Sequence, residues 1–556
     1  MVAKKRNLAS SGNGASRGMQ RGNSAAGGGG GGGVSSKNAH RDTLPGIVWS
    51  VVLCIVKCSI WFAIAFPFAV ATHSLSLVFG RPPNLVYLQQ TLRYLGFVWK
   101  SLTFATPEQE RHMQSFSVTE KIRLTTTILV HTICSPLSAF GWILDEILYG
   151  RRLNGLEPKE KAAVENPVFV VSAFRSASTQ LARGLVSETR YTCEKGGTST
   201  TEPCFVAPNA MMCAYPYLWL WKLVYAIVGD IPDTLVDAER AQTEGGLTKE
   251  DVREKFNAGF TPDSMARHAN DPFQTDTFDG TFLNCHLNGF VWQLCRGLPA
   301  SAIEQEFNYA CQKEGDALNR RIWQTDMVRH IERLARKTIL FHNEGGGETA
   351  AGGVRPPQRF LLKGHFLSVC PQLREAYGGR ARFVTILRDP CERLRSGINY
   401  MAVNPTLYAS DPRQQIPWAA FAEALGETEA QYCERELQWF GGTGGDESDR
   451  LAVTFDSFVA DRGKAMGEIV NWLGLVPEDD PGEVAIASTS QAKKSKSPRK
   501  KKTPSASSAA TKKAYRIDRS LAELGVDEKA YRERLSDYLA WIKDVSSGSS
   551  YKSKSE

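Results

Sequence analysis

Val168-Phe169-Val170-Val171 runs straight into Ser172-Ala173-Phe174-Arg175-Ser176-Ala177-Ser178-Thr179-Gln180, and then into Leu181-Ala182-Arg183-Gly184-Leu185. An apolar β-branched run, a loop of small and hydroxyl residues and a helix-forming stretch predict strand, turn and helix in that order. Such a turn aims the free N–H groups of a helix start, and the positive end of its dipole, at one spot. Arg175, Ser178 and Thr179 add side-chain donors, so the segment reads as a cradle for an anion. Hydroxyl residues also cap helices for structural reasons alone, and that reading stands beside the first. The GxxxxGK[ST] loop of nucleoside triphosphatases does not fit: Arg175 replaces the lysine, no glycine lies between Ser172 and Thr179, and no partner acid for Mg²⁺ is evident.

Working outward, Phe360 to Leu362, Phe383 to Leu387 and Leu451 to Phe455 repeat the short, apolar character of the first run. Runs apolar on both parities and separated by helical stretches predict an α/β fold, a P-loop-like parallel β-sheet flanked by helices. Tyr191 to Glu344 is mostly helical in composition, with Asp276-Thr277-Phe278-Asp279 resembling a helix start. Asn343 to Pro357 and Gly441 to Asp449 read as loops, Pro477 to Ala514 as a Ser/Ala/Lys linker, and Glu528 to Lys543 as a final amphipathic helix.

Two further segments carry chemistry. In Phe383-Val384-Thr385-Ile386-Leu387-Arg388-Asp389-Pro390, Asp389 suits an N-cap and Pro390 a first helical position. Arg388 then stands at the end of a strand and Ser396 about two turns along the following helix, which continues through Arg393 and Tyr400. An isolated Arg-Asp pair would be a surface ion pair worth about 0 to 1 kcal/mol. Phe360-Leu361-Leu362-Lys363-Gly364-His365 is again a strand running into a loop, where a lone His is more often a structural hydrogen-bonder than a base.

Together these segments resemble the sulfotransferase family, in the membrane-associated branch whose phosphosulfate loop reads Pro-Arg-Ser-Gly-Thr-Thr. Pro167-Val168-Phe169 and Arg175-Ser176-x-Ser178-Thr179 match, while Ser172, Phe174 and Ala177 stand where that pattern has Gly, Pro and Gly. Two lost glycines would restrict the approach of backbone to phosphate. The resemblance implies that Arg175, Ser176, Ala177, Ser178, Thr179, Gln180, Arg388 and Ser396 bind 3′-phosphoadenosine 5′-phosphosulfate, with Arg388 and Ser396 on its 3′-phosphate. It also implies His365 as general base, with Lys363 and Arg175 as electrostatic partners of the sulfonate. The acceptor would be a hydroxyl or amine of a glycan, lipid or small metabolite, and no metal is implied. Leu144 to Tyr149, Leu451 to Asp456 with Trp472 to Gly474, and Ser520 to Gly525 are weaker echoes in the family's order, so the likeness runs from Leu144 to about Asp544. A catalytically silent nucleotide-binding membrane protein of the same fold is the alternative.

Charge and composition set the rest. Met1 to Arg41 holds seven basic residues and no acid, and includes seven consecutive glycines; it is expected to be a disordered cytosolic tail within 1–46. Lys493 to Lys513 holds nine basic residues and no acid, within a basic insertion over 478–514. That run reads as a solvated linker or as a contact for an anionic acceptor or membrane surface. The net charge of +8 therefore belongs to these two segments, which argues against a nucleic-acid reader with a basic folded surface.

Ile47 to Thr72 carries one charge, Lys57, over 26 residues, enough to cross a core of about 30 Å. It reads as a transmembrane anchor, with Ala69-Val70-Ala71 leaving a cleaved signal open. The basic tail then predicts a single-pass type II protein with a luminal domain, in keeping with a Golgi location. Within a membrane-proximal helical region over 73–143, uncharged Leu124 to Leu144 could be a second crossing, but its polarity better suits a helix packed on the domain or lying in the interface. A disulfide between Cys193 and Cys204 is compatible with a lumen. His268, Asp271 and Asp276 read as an acceptor-side polar segment or as ordinary capping. The last residues, 545–556, read as a disordered tail, and oligomeric state is not encoded in any visible pattern.

Overall fold

The computed structural model describes residues 43–82, 118–195, 198–228, 325–345, 358–402, 418–441, 447–475, 483–486 and 519–547, with a few positions between 91 and 99 and between 274 and 278. Its strands are β1 (Val168–Val171), β2 (Thr189–Lys195), β3 (Thr198–Pro203), β4 (Phe205–Val206), β5 (Arg359–Gly364), β6 (Arg382–Leu387), β7 (Arg450–Thr454) and β8 (Glu483–Ile486). The helices that matter here are α1 (Leu44–Phe79), α2 (Val118–Ile133), α3 (Ser135–Asn154), α4 (Ser178–Glu188), α5 (Leu218–Val228), α6 (Met327–Gly345), α7 (Pro390–Ala402), α8 (Trp418–Phe440), α9 (Arg462–Trp472), α10 (Glu528–Arg534) and α11 (Ser536–Ser546).

β4, β5, β1, β6 and β7 lie side by side in that order, and every pairing is parallel. Both parities of β1 are fully buried, which is why its sequence shows no alternation. Phe169, Val171, Phe360, Leu362 and Phe383 face one core together with Ile331, Leu334 and Ile339 of α6. Val168, Val170, Leu361, Val384 and Ile386 face another, against Leu181 and Leu185 of α4 and Met466 and Ile469 of α9. Parallel register brings the carboxyl ends of β1, β5 and β6 to one edge, where ligands bind in open parallel sheets.

The expected helical character after Tyr191 is corrected at its start. β2 and β3 pair antiparallel from Lys195 with Thr198 outward, and β8, inside the expected linker, adds to β2. Threonine-rich strands of low hydropathy hide from an apolar count, although their Thr content and the intervening Gly196-Gly197 are a hairpin signal in the sequence. β5 also runs through Lys363 and Gly364, while β7 ends at Thr454. The final helix is two, broken at Leu535, which is buried beneath the break. α11 reaches Ser546, slightly beyond the expected start of a disordered tail. Residues 1–42 and most of 478–514 lie outside the described residues.

α1 is longer than the 26-residue apolar run, because Thr43 caps it and Pro45 suits its first turn, where no N–H is needed. Its mean hydropathy of 2.3 over the best window, and the exposure of Val48, Trp49, Ile55, Ile60, Phe62 and Phe66, leave it apolar all round. α2 and α3, separated by a break at Cys134, form a second segment long and apolar enough to cross a membrane. Both pack along α1; Phe68 meets Phe140 at 5.0 Å and Thr72 donates to the Pro136 carbonyl at 3.4 Å. Phe79, Gly80 and Arg81 at the end of α1 line one cavity with Trp142, Glu146 and Asn154 of α3. α1 therefore ends where α3 enters the sheet domain.

α3 continues into that domain without a linker. Asp145, fully buried, accepts from the backbone N–H groups of Leu218 (2.8 Å) and Trp219 (2.9 Å) at the start of α5 and pairs with buried Lys337 of α6 at 2.7 Å. The ammonium of Lys337 also sits 3.6 Å over the Trp142 ring and donates to the Pro216 carbonyl.

Candidate active site

The loop between β1 and α4 is held by its own hydroxyls. Ser176 is buried and donates to the Ala173 carbonyl at 2.7 Å, and the N–H groups of Gln180 and Leu181 both turn back to Ala177. Arg175 and Ala177 have φ of 67° and 69°, the left-handed region that L side chains avoid at about 1–2 kcal/mol each. Two such residues, with only Ser176 between them, mark a strained loop held in place by its surroundings. Ala177 thus adopts the backbone conformation that a glycine would adopt more easily, immediately before α4.

Ser172, the other departure from the glycine pattern, turns away from the loop. Its hydroxyl accepts from the Ile386 N–H at 2.8 Å and lies 3.3 Å from the Thr385 hydroxyl. Thr385 donates onward to Glu436 of α8, which accepts from the Tyr538 hydroxyl of α11 at 2.7 Å and meets Arg393 of α7 at 3.3 Å. Arg393 is buried and further bonded to Glu429, to the Cys433 sulfur and, at 3.1 Å, to Tyr538. Buried groups in such a chain hold position because an unpaired member would be costly. The chain runs from the first loop residue to the last helix, and the sequence alone did not disclose it; an arginine next to Leu394 in an apolar helix face was the available signal.

Asp389 caps α7 as expected, accepting from the N–H groups of Cys391 (2.9 Å) and Glu392 (3.2 Å), and Arg532 of α10 clamps its other oxygen at 2.7 Å. That cap places Arg388 between the loop and α7. Its guanidinium donates to the Arg175 carbonyl at 2.8 Å, lies 4.2 Å over the Phe455 ring and reaches Glu392 at 3.3 Å. Arg175 in turn directs its Nε to the Ser396 hydroxyl at 3.2 Å. Arg175 is therefore held at two points, its carbonyl by Arg388 and its side chain by Ser396.

His365 follows β5 on the same edge. Its ring meets Phe174 edge-on at 5.9 Å, and Phe174 also lies under the Arg175 guanidinium. Phe174 packs beside Gly397, where a Cβ would stand in ordinary van der Waals contact, 3.5 Å from the ring. Lys363 is a strand residue rather than a loop residue; it is buried, pairs in register with Val170, and shares the parity of Leu361. Ser178 is buried, Thr179 half-buried and Gln180 exposed at the first turn of α4, where N–H groups lack intrahelical partners.

Asp276 accepts from Arg183 of α4 at 3.3 Å, which favours its structural reading; His268 and Asp271 lie outside the described residues. The Cys193–Cys204 disulfide that a lumen would permit is not formed: Cys204 is a free, buried thiol whose pKa burial pushes up to about 11. Register pairs Cys193 with Thr200 instead. Among the described residues no cluster of metal-ligating side chains occurs.

No protein-family model matches the chain, and no curated protein is similar to it. Among solved structures it is similar to a sulfotransferase from Mycobacterium tuberculosis, at 14% identity and a TM-score of 0.43 over 84% of this chain and 97% of the other. It is also similar to a sulfotransferase from Mycobacterium avium, at 14% identity and a TM-score of 0.46 over 84% of this chain and 95% of the other.

Proposed function

We propose that the chain is a membrane-anchored sulfotransferase that moves a sulfonate from 3′-phosphoadenosine 5′-phosphosulfate to a hydroxyl or amine of a glycan, lipid or small metabolite. The observation that carries this reading is that Arg388 and Ser396 both bond Arg175, one at its carbonyl and one at its Nε, at the carboxyl edge of a parallel sheet, just before α4. Two guanidiniums, a hydroxyl and a helix N-terminus form a donor set suited to a doubly anionic nucleotide, and forked guanidiniums match phosphate oxygens in pairs. Bound there, the nucleotide would supply the activated sulfonate and a good leaving group.

In this reading Arg388 and Ser396 hold the 3′-phosphate, and Ser176, Ala177, Ser178, Thr179 and Gln180 offer the loop and first-turn donors for the other end. Arg175 stands between the two ends, its hydrogen bond to Ser396 being exchanged for a phosphate oxygen on binding. Sulfonate transfer spreads negative charge over equatorial oxygens, so fixed donors and positioning carry most of the catalysis. His365 takes the acceptor proton, a contribution typically of about 10² to 10⁴ in rate. Phe174 holds the His365 ring against the loop. Lys363, in the β5 ladder, adds positive potential from within the sheet. The silent-binder alternative then rests on the Cβ of Ala177, since Ser172 bonds away from the loop.

The same reading keeps a type II arrangement, with the N-terminus and the domain on opposite faces of the bilayer and the domain in the Golgi lumen. The exposed apolar girth of α1 supports the membrane segment, while the orientation rests on the basic residues that precede it. Protease protection in sealed vesicles reads the sidedness directly. For the activity, the purified full chain is incubated with radiolabelled donor and a mixed acceptor extract. Label should transfer with the native chain and fail with His365→Ala, which keeps nucleotide affinity, whereas Arg388→Ala loses affinity in calorimetry. Unchanged affinity in Arg388→Ala would sink the 3′-phosphate assignment.

A further inference from the structure

The cavity where α1 ends has a volume of about 430 Å³ and is distinct from the candidate active site. Four guanidiniums, Arg81, Arg329, Arg333 and Arg336, face only two carboxylates there, Glu146 and Glu332. Arg333 is spent: it is forked onto Glu146 and donates to Asn154 at 2.8 Å. Arg329 and Arg336 each use one nitrogen on a backbone carbonyl, Arg81 at 2.7 Å and Leu153 at 3.0 Å, which fixes their planes while leaving further N–H donors. Arg336 is attracted to Glu332, but among the described residues neither it nor Arg329 nor Arg81 forms an ion pair.

Exposed apolar residues adjoin this basic cavity in the chain. Leu77 and Val78, just before the cavity-lining Phe79 on α1, are about four-fifths exposed, and Ile147 and Leu148, which follow the cavity-lining Glu146 on α3, are exposed as well. A cationic recess adjoined in the chain by bare aliphatic side chains, at the end of a helix apolar all round, has the chemistry of a membrane interface. Free phosphate would use the recess and ignore the apolar residues. A lipid uses both, with its headgroup among the arginines and its chains along Leu77, Val78 and Ile147.

We propose that this cavity binds the headgroup of an anionic phospholipid, which ties the end of α1 to α3 and α6. The proposal rests on the reading of α1 as a membrane segment, which alkaline carbonate extraction of membranes tests separately.

The full chain is placed in nanodiscs of phosphatidylcholine alone or with phosphatidylglycerol, and its melting temperature is compared with that of Arg329→Gln/Arg336→Gln and of Arg81→Gln. Lipid retained through detergent extraction is counted by native mass spectrometry. Phosphatidylglycerol should raise the melting temperature of the native chain, and the double variant should lose that rise and retain about tenfold less anionic lipid. Arg81→Gln, at an exposed position, should fold normally and show a smaller loss in the same direction. Equal stabilisation by phosphatidylcholine, equal effect of inorganic phosphate in detergent, or unchanged lipid retention in both variants would overturn it. Loss of carbonate resistance without loss of bound lipid would instead point to the anchor reading as the error.

Discussion

Arg175 and Ser396, on opposite sides of the loop edge, are joined by a hydrogen bond of 3.2 Å from the guanidinium Nε to the hydroxyl. The two halves of the proposed nucleotide grip thus touch before any ligand arrives, so binding exchanges one contact for stronger, charge-assisted ones. Ser396→Ala removes a hydroxyl donor to the 3′-phosphate and should weaken 3′-phosphoadenosine 5′-phosphate by about tenfold in calorimetry. An affinity equal to that of the native chain would place the phosphate elsewhere.

Ser172→Gly should destabilise the protein, although glycine is what the resembling loop carries. The change strips the buried Ile386 N–H of its acceptor, at a cost of about 1–3 kcal/mol, readable in urea denaturation. A neutral or stabilising outcome would mean that the Ser172 hydroxyl does not hold β1 to β6.

Ala177→Gly should act in the opposite direction. Relief of the left-handed strain at φ 69° is worth about 1 kcal/mol, a rise of a few degrees in melting temperature. A drop would show that the loop takes another conformation in solution.

Breaking the buried pair between Asp145 and Lys337 should be among the most damaging single changes. Lys337→Met or Asp145→Ala leaves one charge buried without its partner, a loss of about 3–5 kcal/mol in denaturant unfolding. Asp145→Ala should be the worse of the two, because it also uncaps α5. Losses below about 1 kcal/mol for both would show that the site admits water.

Cys204 should resist iodoacetamide in the native protein and react once it is denatured, since burial holds it in the thiol form. A shift in mobility on non-reducing gels that is lost in Cys204→Ser would reveal a disulfide after all.

Strands buried on both faces were legible because each is a dense apolar run: β1 and β6 stand where Val168 to Val171 and Phe383 to Leu387 predict them. The Asp389 cap and the spacing of Arg388 and Ser396 were legible for the same local reason, a strand end followed by a proline-started helix. What stayed hidden was polar or distant. β2 and β3 are rich in threonine, and the β6 partners of Ser172 lie more than two hundred residues away. The packing of α2 and α3 along α1 is likewise a matter of tertiary contact, on which hydropathy is silent.

The buried polar chain from Ser172 through Thr385 and Glu436 to Tyr538 also has a temporal side. A ribosome makes the loop after β1 well before it makes Tyr538, so the loop cannot complete its internal support until α11 has been synthesised. Nascent chains halted before α11 should therefore carry an immature loop, and the protein gains its final form as a whole rather than in installments.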